Sequence, residues 1–197
     1  MVYSLLGMKY TWYYETAKID LKFIDNLVDN CLSKKLEDGV IGKETGVFVT
    51  DKKIRKAKIT FLNKKEHLPV FDVMDSLGVN INNEAFGFDI NQLEACQFTL
   101  YNANDKGKYD WHMDTDFISN NCYHRKMSVI IQLSNPSDYE GGKLELRNSG
   151  FSKQDEENII QKGSVLAFPS FMEHRVTPVT KGKRMSLIGW FIGAKFR

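Results

Sequence analysis

Four residues in the second half of the chain have the types and spacing for metal chemistry: His112, Asp114 two positions later, the distant His174, and Arg184 ten residues beyond that. Two imidazoles and one carboxylate can take one face of an octahedral ion and leave the opposite positions open, the facial arrangement of non-haem iron(II) sites. Residues i and i+2 of a β-strand point to one side. A strand through Trp111-His112-Met113-Asp114 therefore aims both first ligands at one ion, and the third must come from another strand. Arg184 supplies a planar cationic fork suited to a carboxylate. Asp116 competes with Asp114, but four residues along a strand is roughly 13 Å at ~3.3 Å per residue, too far from His112 for a shared ion.

Taken alone, a His-x-Asp pair is weak, because both types are common in exposed turns. Its company strengthens it. His174 follows Gly163-Ser164-Val165-Leu166-Ala167-Phe168-Pro169, a strand and a turn, and Arg184 opens another strand with Ser186, Ile188 and Trp190 on its own face. His67, between charges, reads as solvent-exposed, and His124 as a surface histidine rather than a substrate-loop residue. The basic stretch 52–58 reads as a solvated strand face rather than a nucleic-acid site. Tyr101, Tyr109 and Trp111 precede His112 closely and serve either the core or a pocket.

The elements that must carry these residues are legible in outline. Ile19, Phe23, Ile24, Leu27, Val28, Cys31 and Leu32 recur at helical spacing behind Asp20, a capping residue. Leu68, Phe71, Val73, Met74 and Leu77 predict a second helix closed by Gly78. Residues 56–61 read as a strand with one polar face, and short strands follow at 86–89, 95–101, 127–133, 143–146, 164–168, 174–179 and 185–192. Turn signals separate them at Asn104-Asp105-Lys106-Gly107, Asn135-Pro136-Ser137-Asp138, Gly141-Gly142 and Lys181-Gly182, and Asp155-Glu156-Glu157-Asn158 reads as a polar loop tip. Helices first and many short strands after predict an α+β, mostly β chain. The expected core is a double-stranded β-helix (jelly roll, cupin-like) flanked by N-terminal helices. A single domain over 1–197 is expected, with 1–92 a support region and 93–193 the catalytic core.

Composition narrows the setting. With 42% hydrophobic and 26% charged residues, the 197-residue chain is ordinary for a globular protein, and a net charge of +2 argues against a dedicated nucleic-acid binder. Cys31, Cys96 and Cys122 are odd in number and scattered, which fits reduced thiols in the cytoplasm. The start, Met1 to Tyr14, lacks a secretory pattern, and no apolar run approaches the roughly 18 residues of a membrane span.

Tyr109-Asp110-Trp111-His112-Met113-Asp114 resembles the first ligand motif of the prolyl 4-hydroxylase-like Fe(II)/2-oxoglutarate oxygenases. The block from Ser134 through Gly141-Gly142 to Leu144, and the block from Phe168-Pro169 through His174 to Arg184, resemble those of PKHD-type hydroxylases. The resemblance covers about residues 93 to 193. It implies that His112, Asp114 and His174 bind Fe(II), that Arg184 pairs with the distal carboxylate of 2-oxoglutarate, and that Tyr101 and Gln132 contact the same co-substrate. Tyr109 and Trp190 are then placed beside the substrate.

The implied reaction consumes O2 and 2-oxoglutarate, releases succinate and CO2, and hydroxylates an unactivated C–H bond, with ascorbate as a further requirement. The implied partner is a proline-containing peptide or protein. Met113, Ile188 and Trp190 are expected to keep the centre dry. Two other readings stand beside it. An oxygenase acting on a small molecule or nucleic acid is one, and Trp190 counts against its nucleic-acid form, because nucleic-acid demethylase relatives commonly carry arginine there. A non-catalytic jelly-roll binding module is the other. Selectivity is expected to lie in the loops 37–50, 102–108 and 116–125.

Overall fold

The computed structural model describes residues 9–42, 48–118 and 120–197. The expectations for positions 1–8, for 43–47 within the loop 37–50 and for Ser119 within the loop 116–125 lie outside the described residues.

The elements run β1 (Tyr13–Glu15), α1 (Leu21–Leu32), β2 (Glu37–Asp38), β3 (Ile41–Gly42), β4 (Phe48–Val49), β5 (Arg55–Lys56), β6 (Lys58–Phe61) and α2 (Leu68–Ile81). Then follow β7 (Gln92–Asn102), β8 (Lys108–His112), β9 (Tyr123–Gln132), β10 (Tyr139–Gly141), β11 (Leu144–Leu146), α3 (Lys153–Ile159), β12 (Val165–Pro169), β13 (His174–Val176) and β14 (Val179–Ala194). Among the described residues an eight-stranded major sheet has the order β1-β12-β9-β14-β7-β6-β2, with β10 also pairing β14. A four-stranded minor sheet has the order β11-β13-β8-β5. All of these pairings are antiparallel, as a double-stranded β-helix requires.

Strand alternation divides the core in two. One face of the major sheet, with Phe98, Val129, Ile131, Leu187 and Phe191, packs on Ile24, Leu27, Phe71, Met74 and Ile81 of the helices. The opposite face, with Tyr101, Ile130, Leu166 and Phe168, packs on Leu144, Leu146 and Val176 of the minor sheet. Asp20 caps α1 as expected, its carboxylate accepting from Phe23 N at 3.0 Å.

Five expectations give way. Helix α2 runs through Gly78 to Ile81, because α2 lies so close to β14 that a Cβ on Gly78 would sit 1.9 Å from Phe191 Cζ. Residues 86–89 form no strand. A π-turn over Asn82–Phe86 extends the helix, and the Asn82 amide holds Phe88 through both backbone groups at 2.8 and 2.9 Å. The acidic loop tip is helix α3, started by a reciprocal capping box between Ser152 and Asp155. Lys181-Gly182 is no turn but part of β14, so Arg184 lies inside a 16-residue strand rather than at its start. The glycine is needed there for close approach, since a Cβ would meet Asp138 O at 1.9 Å. Finally, the stretch 52–58 is a turn followed by two strands in different sheets, β5 in the minor and β6 in the major. Alternation cannot register a change of sheet, and Arg55, expected in solvent, is only 7% exposed.

Candidate metal centre

His112 ends β8 and His174 begins β13, and the two residues are direct partners across that antiparallel pair. Asp114 lies past the end of β8, so pleat alternation does not orient it. It is held instead by contacts from distant segments. Its N–H donates to Ser170 O at 2.9 Å, and its Oδ2 accepts from the Ser128 hydroxyl at 2.7 Å. Ser128 Oγ also lies 2.9 Å from Ser170 Oγ. The three side chains bring one ligand atom each to within 4.8 Å of one another.

The imidazoles are prepared in the same way. His112 Nδ1 lies 2.8 Å from Asp110 O and His174 Nδ1 lies 2.9 Å from Met172 O. A carbonyl can only accept, so each Nδ1 carries a proton and donates it, and each Nε2 is left facing the Asp114 carboxylate. Those Nε2 atoms stand 3.7 and 3.6 Å from the Asp114 carboxylate. Burial, reinforced by His174, pushes the His112 pKa down to about 3, so the ring is neutral at pH 7. Burial works against ionisation of Asp114, but His174, His112, Arg125 and the Ser128 hydroxyl outweigh it and bring its pKa to about 2. A neutral His112 and an anionic Asp114 are the forms a divalent cation requires. Asp116 is absent from this cluster, and its Oδ1 accepts from Ile118 N at 2.9 Å.

Arg184 faces the same interior. It is 4% exposed and lies opposite Tyr101 in the β7–β14 ladder, with its guanidinium 5.7 Å from the Tyr101 ring. It lines a small cavity with Ile130, Gln132, Leu144 and Leu166. No carboxylate pairs with it among the described residues. A buried cation without a counter-charge is costly, and an anion in this cavity would offset that cost. Gln132 Nε2 donates to Tyr139 Oη at 2.9 Å, which leaves its carbonyl oxygen for other partners. Burial raises the Tyr101 pKa despite Arg55 and Arg184 nearby, so its phenol remains a donor.

The other expected residues divide. Tyr109 stacks on the His112 ring at 3.5 Å between centroids and carries the Arg55 guanidinium 4.5 Å from its own centroid. Burial pushes its pKa up to about 12. Trp190 is buried beside Ser128 in register, under the Arg125 guanidinium at 4.2 Å, and its indole N–H has no acceptor among the described residues. Met113 is 47% exposed and cannot help to exclude water from the centre. Trp111 belongs elsewhere, with Arg147 and Arg175 both over its ring. His67 is buried, not exposed, with Nε2 3.0 Å from Asn30 Oδ1. His124 is buried as well, because Phe117 and Phe196 close over it and Phe196 N donates to its Nδ1. Ser128, Ser170 and Tyr139 went unnoticed in the sequence. The available signal was a serine inside a run of buried apolar residues, Met127-Ser128-Val129, where a hydroxyl needs a partner.

Residues 96–192 match the family model of the 2OG-Fe(II) oxygenase superfamily. A PKHD-type hydroxylase of Gloeothece citriformis is 37% identical over 82 residues, which are 42% of this chain and 36% of the relative. The match thus spans about a third of that relative's length. A prolyl-4-hydroxylase of Pseudomonas putida shares the fold with a TM-score of 0.70, at 22% identity over 93% of both chains. A prolyl hydroxylase from Trichoplax adhaerens, solved with a hypoxia inducible factor peptide fragment, has a TM-score of 0.68 at 20% identity, covering 93% of this chain and 84% of that one. No helix among the described residues is long and apolar enough to cross a membrane.

Proposed function

We propose that the chain is an Fe(II)- and 2-oxoglutarate-dependent dioxygenase that hydroxylates an unactivated C–H bond of a peptide, with a prolyl residue as target. Residues 93–193 form the catalytic core, and 1–92 support it. The observation that carries this reading is the unpaired buried Arg184 facing the same interior as the His112, Asp114 and His174 donor set. A facial donor set fits the ion, and an uncompensated, buried guanidinium lining a small cavity fits the far carboxylate of a dicarboxylic co-substrate. The family-model match over residues 96–192 supports the chemistry, and the structural neighbour solved with a peptide supports a polypeptide substrate.

In this assignment His112 Nε2, His174 Nε2 and an Asp114 oxygen hold the metal. The Asp110 and Met172 carbonyls fix the two tautomers, and the Ser128 hydroxyl fixes the carboxylate. Arg184 anchors 2-oxoglutarate, with Gln132 and Tyr101 beside it. Tyr109 and Trp190 border the space left for substrate. Bound iron, 2-oxoglutarate and O2 supply the oxidising power that replaces C–H by C–OH, with succinate and CO2 as co-products. Ascorbate serves to keep the iron reduced. The free thiols Cys31, Cys96 and Cys122 suit a cytoplasmic setting.

The test is succinate release together with a one-oxygen mass gain on a panel of proline-containing peptides, with and without 2-oxoglutarate. Succinate without oxygenation of any such peptide removes the prolyl assignment. Absence of both metal binding and 2-oxoglutarate binding removes the enzyme assignment.

A further inference from the structure

A groove of about 550 Å³ carries five basic residues in its described lining, Lys52, Arg55, Lys56, Lys58 and Lys106, with Asp38 and Asp105 as its acidic members. Lys58 and Lys52 already sit 2.8 and 3.7 Å from Asp38. Arg55, Lys56 and Lys106 pair with no carboxylate among the described residues. Arg55 is the inner end of the groove. It is nine-tenths buried, donates through Nη1 to Val40 O at 2.9 Å, and has no partner for Nε. Its guanidinium rests on Tyr109, which rests on His112, so two ring contacts connect the groove to a metal-facing imidazole.

We infer that this groove binds an acidic segment of the polypeptide substrate, beside the residue presented to the metal. The inference rests on the proposed function and adds the charge of the substrate to it. Unpaired cations in a concave surface favour an anionic partner, and such complementarity governs selection and capture. A polypeptide fits better than a nucleic acid. Among the described residues the lining has no aromatic side chain on which a base could stack, and its two aspartates would face phosphates. The side-chain amides of Asn102 and Asn104 and the edge strand β5 suit an extended peptide backbone. The lining comes from residues 38–39, 50–58 and 100–106, so two of the three loops expected to set selectivity contribute to it.

The probe is a fluorescein-labelled, proline-containing peptide with four glutamates on one side of the proline, compared with its glutamine counterpart by fluorescence polarisation. The full chain is used, both metal-free and loaded with Mn(II) and 2-oxoglutarate. The acidic peptide is expected to bind about tenfold more tightly at low salt, with the advantage shrinking as salt rises. Lys56→Glu combined with Lys106→Glu should erase the advantage while Mn(II) and 2-oxoglutarate affinities, measured separately, stay unchanged. Equal binding of the two peptides, an advantage that survives in the double variant, or a single-stranded oligonucleotide of equal charge that binds more tightly than the acidic peptide would each overturn the inference. Loss of Mn(II) or 2-oxoglutarate binding in the unmodified chain would instead count against the proposed function, while the peptide comparison in metal-free protein still decides the groove.

Discussion

The hydroxyl of Ser128, on β9, donates to Asp114 Oδ2 at 2.7 Å across fourteen residues of sequence. It therefore fixes a carboxylate that its own strand does not. Outer contacts of this kind are commonly worth 10- to 100-fold in metal affinity or activity. Ser128→Ala should weaken Mn(II) binding by about tenfold with little change in Tm. Asp114→Ala should abolish both binding and turnover, and Asp116→Ala should leave binding intact. Calorimetric Mn(II) titration of the three variants checks this. Loss of metal in Asp116→Ala but not in Asp114→Ala would refute the ligand assignment.

Arg184→Ala should raise the 2-oxoglutarate Kd by roughly two to four decades, since removing one partner of a buried charge pair costs roughly 3–5 kcal/mol. Mn(II) affinity should barely move. Lys183, exposed on the other face of β14, should tolerate alanine. Arg184→Leu should also raise the Tm of the ligand-free chain, because it removes an uncompensated buried charge. Titrations in Mn(II) and thermal melts separate these effects.

Tyr109→Phe keeps the stack on His112 and removes only the hydroxyl. It should leave Mn(II) binding and substrate-independent 2-oxoglutarate turnover near normal while slowing peptide hydroxylation by about tenfold; a misplacement of 1 Å can cost ~10²-fold. Tyr109→Ala should disturb the metal as well, because the 3.5 Å ring contact is lost. Parallel assays of succinate and hydroxylated peptide report the uncoupling.

Gly78→Ala would usually favour a helix by up to about 1 kcal/mol. Here the sign reverses. The added methyl meets Phe191, and overpacking of this kind costs about 1–3 kcal/mol. Urea denaturation should show the loss, and a stabilised variant would contradict the packing.

Burial pushes the thiol pKa of Cys31 up to about 11 and that of Cys96 up to about 12, from 9.0. Both thiols are neutral in the fold. Their raised values contribute stability that is fully present below about pH 9 and is lost as pH rises through 11 to 12. The native chain should react with Ellman's reagent at Cys122 alone, the exposed thiol, and at all three cysteines in guanidinium. Cys31→Ala and Cys96→Ala should each flatten the alkaline loss of stability seen in denaturation at pH 8 and pH 10.5.

The sequence carried the strands and the donor set because local pattern encodes them. Alternation marks β7, β9, β12 and much of β14, and His-x-Asp keeps its spacing whether or not the strand reaches Asp114. Where tertiary contact decides, the sequence was silent or misleading. Gly78 signals a helix end, yet it is a point of contact with Phe191. Lys52–Lys58 alternates like one strand, yet it divides between two sheets at Ala57. The serines that aim Asp114 and the two buried histidines outside the site take their roles from partners remote in sequence.

The two ways of orienting the donor set give its members different sensitivity to distant change. Each imidazole is aligned by a carbonyl two residues upstream, and the pair meets across β8 and β13 of the minor sheet. The carboxylate depends on Ser128 of β9 and on Ser170, just past β12, both carried by the major sheet. Damage to the β9–β12 ladder would loosen the oxygen donor and spare the nitrogens, leaving a bis-imidazole pair that suits copper, nickel and zinc better than iron. Choice of ion is thus a property of how the two sheets meet.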